Sequence, residues 1–343
     1  MRQAYLEAPR QLVLREVPVP HPAPGEVVVR LRVALTCGTD LKIYRQGHAR
    51  IPVPAPFGHE GAGEIAAVGE GVKGWRVGER VVWLPTAPCG ACPRCAEGLD
   101  NLCHRLFEPD RMALGVYADY VRLPADIVHH HLFVIPPAVP DPVAALLEPL
   151  ACAVRGTQRL RASDDVLVVG AGPMGALLTL VLKVQGVRNL TVVARRPRGA
   201  AYVRELGAEV VEGSLKECMG ELRIRRPEGF GAVVECTGRP EVWEGSVELV
   251  RPGGCVLLFG GLARGSRVRF DAGRLHYDEI AVTGSFHYTT EDAHRAYGLL
   301  SRATAELASL ITHTRPLQQV VSVFEELDRG MDALKVALLP NAV

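Results

Sequence analysis

VLVVGAGPMGALLTLVLKVQGV, from Val166 to Val187, decides the fold. Together with Asp165 its first residues form a continuous apolar run of strand length. A glycine-rich turn follows, and then a helix-like ALLTLVLKVQG. The stretch is apolar enough to be mistaken for a membrane span. It carries four glycines, a proline and Lys183, however, and the run before that lysine falls short of the roughly 20 residues a span needs. A buried strand followed by a buried helix explains it better. Further along, LTVVA (190–194), AEVVEG, GAVVECTG and GCVLLFGG repeat the pattern of short buried runs separated by helical segments. That alternation predicts a parallel sheet with crossovers, a doubly wound domain over 153–284.

GAGPMG, Gly170 to Gly175, fits G-x-G-x-x-G in its proper setting, after a strand and opening a helix. Gly170 permits the tight turn, Gly172 lets backbone amides approach a pyrophosphate, and Gly175 lets the helix pack close to the strand. Free N–H groups at the helix start favour an anion. Gly170, Gly172, Pro173, Met174 and Gly175 are therefore the candidate dinucleotide cradle; the alternative is a strand–helix turn with no ligand. A carboxylate about 20 residues past the glycines would suit the ribose of NAD. Ala194, Arg195 and Arg196 stand there instead, and guanidinium pairs well with phosphate. The expectation is NADP in preference to NAD, with Arg195 and Arg196 on the extra phosphate.

The first 150 residues have another texture. EVVVRLRVAL (26–35), GEIAAVG (63–69) and ERVVWLP (79–85) are Val-rich runs between Gly and Pro, which predict a β-rich domain. DPVAALLEPLACAVRG (141–156) reads as an apolar helix, and KVALLP near the end as a strand that rejoins the first domain. The catalytic domain expected is thus discontinuous, 1–152 with 285–343. Net charge is +1, from 39 basic and 38 acidic residues, which gives no electrostatic case for a nucleic-acid or anionic-membrane partner. MRQAYLEAPRQLVLREV has no apolar signal core, so a cytoplasmic protein is expected.

Cys89, Cys92, Cys95 and Cys103 fall within CGACPRCAEGLDNLC. A reducing cytosol and an odd total of nine cysteines disfavour a disulfide knot. The spacing also differs from a zinc ribbon, whose two CxxC pairs stand about 15–20 residues apart. The histidines of HHH (129–131) read as part of a solvated or interface strand, whose alternate residues point to opposite faces. Cys152, Cys218, Cys236 and Cys255 lie in apolar segments and read as buried.

CGTD (37–40), GHEGAGEIAAVGEGV (58–72), the four cysteines, LEPLACAV (147–154), GAGPMG and VECTG (234–238) follow in order. On these motifs the chain resembles the zinc-dependent medium-chain dehydrogenase/reductase family, nearest its alcohol, polyol and threonine dehydrogenase branch. The resemblance implies an α/β protein with a β-rich GroES-like catalytic domain and a Rossmann domain. It implies hydride transfer between an alcohol or polyol, or the corresponding carbonyl, and a nicotinamide coenzyme. Cys37, His59 and Glu148 match the ligands of a catalytic zinc, and Glu60 the acid beside it. Such a zinc keeps three protein ligands and a vacant fourth position. Thr39 matches the hydroxyl that starts a proton relay, its other reading being an N-cap for a helix near Asp40. In many relatives a histidine stands where Lys42 is here. Cys89, Cys92, Cys95 and Cys103 match a closed structural zinc site. Many relatives are dimers or tetramers, and GCVLLFGG with the strands after it is a candidate pairing edge. A zinc-independent quinone or enone reductase, and a non-catalytic NADP(H)-binding protein, are the alternatives.

Overall fold

In the computed structural model, which describes residues 1–48, 51–161 and 163–340, the opening stretch is a strand, Asp165–Val169, and a helix, Pro173–Val184. Among the described residues no helix is long and apolar enough to cross a membrane. The chain divides into two compact units: Met1–Ala151 with Tyr288–Val343, and Cys152–His287.

The second unit is built on a six-stranded sheet. Its order is Glu209–Glu212, Asn189–Ala194, Asp165–Val169, Phe230–Glu235, Val250–Leu258, Ala281–Gly284, and every pairing is parallel. The chain starts in the middle, winds outward to one side, then returns to wind outward on the other. That leaves a switch point at the carboxyl end of Asp165–Val169, where such sheets bind ligands. The central strands are Val- and Leu-rich because helices cover both faces. GCVLLFGG contributes to an interior strand; the outer strand on that side is Ala281–Gly284. Of GCVLLFGG and the strands after it, Ala281–Gly284 ends the sheet on that side, because the chain adds one further parallel strand after Val250–Leu258.

In the first unit, Val27–Leu35 is the hub of a seven-stranded sheet. It pairs antiparallel with Glu60–Val68 and Tyr120–Leu123 on its two sides, and with Lys335–Leu339 further along. Its exposed positions, Arg30 and Arg32, both reach Glu64 on the neighbouring strand, while its valines and leucines are buried. The core beneath the sheet includes Tyr44, Phe57, Tyr117 and Phe324, whose ring centroids lie 5.2–5.7 Å apart. Two expectations change here. Residues 125–130 form a helix, with His131 at its end and the strand Leu132–Val134 after it, so the histidine run is not a strand. The apolar helix of 141–156 is two helices, Asp141–Ala144 and Leu147–Thr157. Cys218 and Cys255 are buried, whereas Cys152 and Cys236 are only partly so.

Candidate active site and metal centres

Sheet register assembles the first centre. Leu35 pairs with Glu60, so the residues just beyond one strand face those that open the next. The result puts ligand atoms of Cys37, His59 and Glu60 within 4.8 Å of one another. Cys37 is the N-cap of the helix Gly38–Gln46, and its sulfur accepts a hydrogen bond from the Thr39 amide at 3.4 Å. That corrects the alternative reading of Thr39, which lies inside the first turn rather than capping it. A helix N-terminus favours a thiolate. Gly58, at φ +94°, lets the chain turn into His59; a Cβ there would meet the Tyr117 ring at 2.7 Å.

His59 Nδ1 lies 2.7 Å from Asp40 Oδ1, and Tyr117 donates its hydroxyl to Asp40 Oδ2 at 2.6 Å. With Nδ1–H directed at the carboxylate, Nε2 is left as the ligand atom. Burial opposes charge on His59, but Asp40 and Cys37 outweigh it and hold its pKa well above the ordinary value. Burial pushes the Cys37 thiol up, with Glu60 adding to the rise, against Lys335 and His59.

Lys335 is the group that sequence reading missed. It is 1% exposed and donates to both oxygens of the buried Glu60, at 2.6 and 2.5 Å. The pairing of Ala337 with Leu35 brings it there from 275 residues away. Burial and the nearby Glu148 push the Glu60 carboxyl up, while Lys335 and His59 pull it down, and the net direction is up. Glu148 is buried, on the helix Leu147–Thr157, and its charge also bears on Lys335. It is not a member of the 4.8 Å cluster with Cys37 and His59. Thiol, imidazole and carboxyl donors at this spacing, with more acids than bases among them, fit a zinc ion. Asp40 and Tyr117 were also missed. The only sequence signal for Asp40 was its place in CGTD.

The second centre is the cysteine lobe. All four sulfurs of Cys89, Cys92, Cys95 and Cys103 lie within 4.8 Å of one another, with separations of 3.6 Å (Cys92–Cys95), 3.9 Å (Cys92–Cys103) and 4.0 Å (Cys89–Cys95). Zn–S bonds of about 2.3 Å in a tetrahedron require S···S edges of about 3.8 Å. Disulfides would need about 2.05 Å. The fit is to a closed four-thiolate site. Backbone N–H groups of His104 and Cys95 hold the Cys92 thiol down at about 6. The lobe is tied down through Asp100, which accepts from the Thr290 amide and hydroxyl at 2.9 and 2.7 Å. His131 touches the same hydroxyl at 3.1 Å.

The third site is the glycine turn of the second unit. Gly170 sits at φ +102°, and a Cβ on Gly175 would lie 1.8 Å from the Gly170 carbonyl oxygen, so the helix can approach only without a side chain. Gly172 is the N-cap of Pro173–Val184 and has nothing within 4 Å of a Cβ position, which leaves room for a diphosphate to reach the N–H groups of Met174 and Gly175. Gly199 brings the next helix against the turn, its Cβ position being 2.0 Å from the Ala171 oxygen. Arg195 and Arg196 are exposed just past Asn189–Ala194, with Arg196 at the N-cap position of the helix Pro197–Glu205.

Residues 23–136 match the alcohol dehydrogenase GroES-like domain, and residues 173–302 the zinc-binding dehydrogenase domain. The chain is 33% identical to D-altritol 5-dehydrogenase of Agrobacterium fabrum, over 94% of this chain and 95% of the relative. The chain belongs to the zinc-type medium-chain dehydrogenase family. Among solved structures, a zinc-binding dehydrogenase of Sinorhizobium meliloti bound to NADP superposes with a TM-score of 0.87 at 26% identity, covering 99% of each chain. An Escherichia coli alcohol dehydrogenase in complex with NADH gives 0.86 at 30% identity, again over 99% of each. As a member of this family the protein is an NAD(P)-dependent oxidoreductase of the alcohol dehydrogenase type.

Proposed function

We propose that the protein oxidises a polyol or secondary alcohol, or reduces the matching carbonyl, with NADP(H) preferred over NAD(H). The observation that supports this reading best is the convergence of Cys37, His59 and Glu60 within 4.8 Å at the end of two paired strands. Cys37, His59 and Glu148 would hold the catalytic zinc, and Cys89, Cys92, Cys95 and Cys103 the structural one. When bound, the catalytic ion supplies Lewis-acid polarisation of the substrate oxygen. Asp40 keeps the proton on His59 Nδ1, Lys335 holds Glu60, and the Thr39 hydroxyl accepts the substrate proton as it passes its own on toward solvent. Lys42, exposed one turn along the same helix, stands where many relatives have a histidine, and an exposed ammonium is a poor proton acceptor at neutral pH, so the relay is assigned only as far as Thr39. The substrate class draws on the relative named for D-altritol. Zinc analysis, with a panel of polyols and secondary alcohols assayed with both coenzymes, tests the reading; absence of zinc and of turnover would end it. A cytoplasmic homo-oligomer, dimer or tetramer, is part of the same proposal.

A second reading of the ligand set follows from Glu60, and not Glu148, sharing the 4.8 Å cluster. The two are separated by zinc content. If Glu148 is the ligand, Glu148→Ala drops from two zincs per chain to one, and Glu60→Gln keeps two. The reverse pattern would give the role to Glu60.

The coenzyme preference rests on Arg195 and Arg196. Hydrogen bonds to charged groups contribute about 1.5–3 kcal/mol, or roughly ten- to a hundredfold in binding. Arg195→Ala with Arg196→Ala is expected to lower kcat/KM for NADP by about that factor and leave NAD nearly unchanged. A wild-type kcat/KM higher with NAD than with NADP would refute the preference.

A further inference from the structure

Glu235 is fully buried at the last position of the strand Phe230–Glu235, and nothing in the reaction proposed above uses it. Its carboxylate turns back on the chain that follows. Oε1 accepts from the Thr237 amide at 2.6 Å, the Thr237 hydroxyl at 2.5 Å and the Gly238 amide at 3.0 Å. The Glu235 carbonyl accepts from the amides of Phe259 and Gly260, at 3.0 and 2.9 Å, beyond the neighbouring strand Val250–Leu258. The two turns also touch. A Cβ on Gly260 would lie 2.3 Å from the Gly238 nitrogen and 2.8 Å from Glu235 Oε2, and Trp243 donates its indole N–H to the Gly260 oxygen at 3.0 Å. Thr237 reaches the glycine cradle as well, its methyl 2.9 Å from a Cβ position on Gly170. One buried acid thus locks the turns after the fourth and fifth strands in sequence of this sheet, and braces them on the turn after the first.

A doubly wound sheet of this order consists of two mononucleotide-binding halves. The glycine cradle, Arg195 and Arg196 belong to the first half, which leaves the strands Phe230–Glu235, Val250–Leu258 and Ala281–Gly284 for the nicotinamide half. We infer that Glu235 is a positioning residue for the nicotinamide mononucleotide, acting through the turns at 236–239 and 259–261. The inference rests on the dinucleotide reading above. A carboxylate serves here because both oxygens accept: the Gly238 N–H also reaches Oε2 at 3.3 Å, so an amide NH2 on that side would face an N–H.

The test is Glu235→Gln, titrated by fluorescence with NADPH or NADH, whichever the wild type binds more tightly. In parallel the same protein is titrated with the matching adenosine fragment, 2′,5′-ADP or ADP. The expected result is coenzyme binding weakened at least about tenfold, with fragment binding within twofold of wild type. Thr237→Val removes only the 2.5 Å hydroxyl bond and keeps the side-chain shape, and is expected to shift coenzyme binding in the same direction by less. It carries the test if Glu235→Gln does not fold. Unchanged coenzyme binding, or equal weakening of coenzyme and fragment, overturns the inference. A wild type that binds neither coenzyme nor fragment overturns the dinucleotide reading itself, a different failure.

Discussion

Lys335→Met is expected to lower the unfolding free energy by about 3–5 kcal/mol, the usual cost of removing one partner from a buried ion pair. Methionine matches the length and apolar stem of lysine, so the change is chiefly one of charge. Glu60 and Lys335 are each 1% exposed, so water cannot replace the lost partner. Both carboxylate oxygens lose their donor at once. Burial already pushes the Glu60 carboxyl up against the pull of Lys335, and Glu148 pushes in the same direction. Without Lys335 the group must either take a proton or remain as an uncompensated charge. Denaturant melts measure the loss. The double variant Lys335→Met with Glu60→Gln is expected to recover much of it, because no buried charge is then left alone. A loss below about 1 kcal/mol in the single variant, or no recovery in the double, would show that the pair does not hold the strand Lys335–Leu339 to the site.

Which parts of this molecule the sequence discloses follows from how local their causes are. The Rossmann unit was legible because buried parallel strands are continuous apolar runs, and because GAGPMG has its shape dictated by close backbone contacts within six residues. Gly175 against the Gly170 oxygen is such a contact. Cys37, His59 and the four clustered cysteines were legible as donor types in fragments that resemble a known family. The partnership of Lys335 with Glu60 was not. It depends on a strand returning after 275 residues and on register with Leu35, neither of which leaves a mark near either residue. KVALLP announced a strand but not what its first side chain touches. The histidine run misled for a related reason. A strand does begin there, at Leu132, but a short helix precedes it, and His131 turns inward to Thr86 and Thr290. Glu235 looked like one more letter of VECTG, since its role arises from two turns meeting across neighbouring strands.

His59→Ala is expected to cut kcat by about a thousandfold or more while leaving coenzyme affinity within about twofold of wild type. The reasoning starts from the imidazole. Nδ1–H is committed to Asp40 at 2.7 Å, and Asp40 is itself held by Tyr117 at 2.6 Å, so the ring cannot turn freely and Nε2 has one direction in which to act. Removing the ring deletes a nitrogen donor from a cluster that has only Cys37 and a carboxylate besides, and it leaves Asp40 with the Tyr117 hydroxyl but no imidazole on its other oxygen. Metal-ion charge stabilisation is worth several kcal/mol in a transition state, and each ~1.4 kcal/mol is tenfold in rate. Zinc content is expected to fall from two ions per chain to one, because the sulfurs of Cys89, Cys92, Cys95 and Cys103 form a separate closed set. Coenzyme affinity is spared because the glycine turn at Gly170–Gly175 belongs to the other compact unit. The three readouts must move independently for the argument to stand. Full activity in the variant would remove His59 from the mechanism. Coenzyme binding lost in step with turnover would mean that the substitution had damaged the fold and not the metal centre.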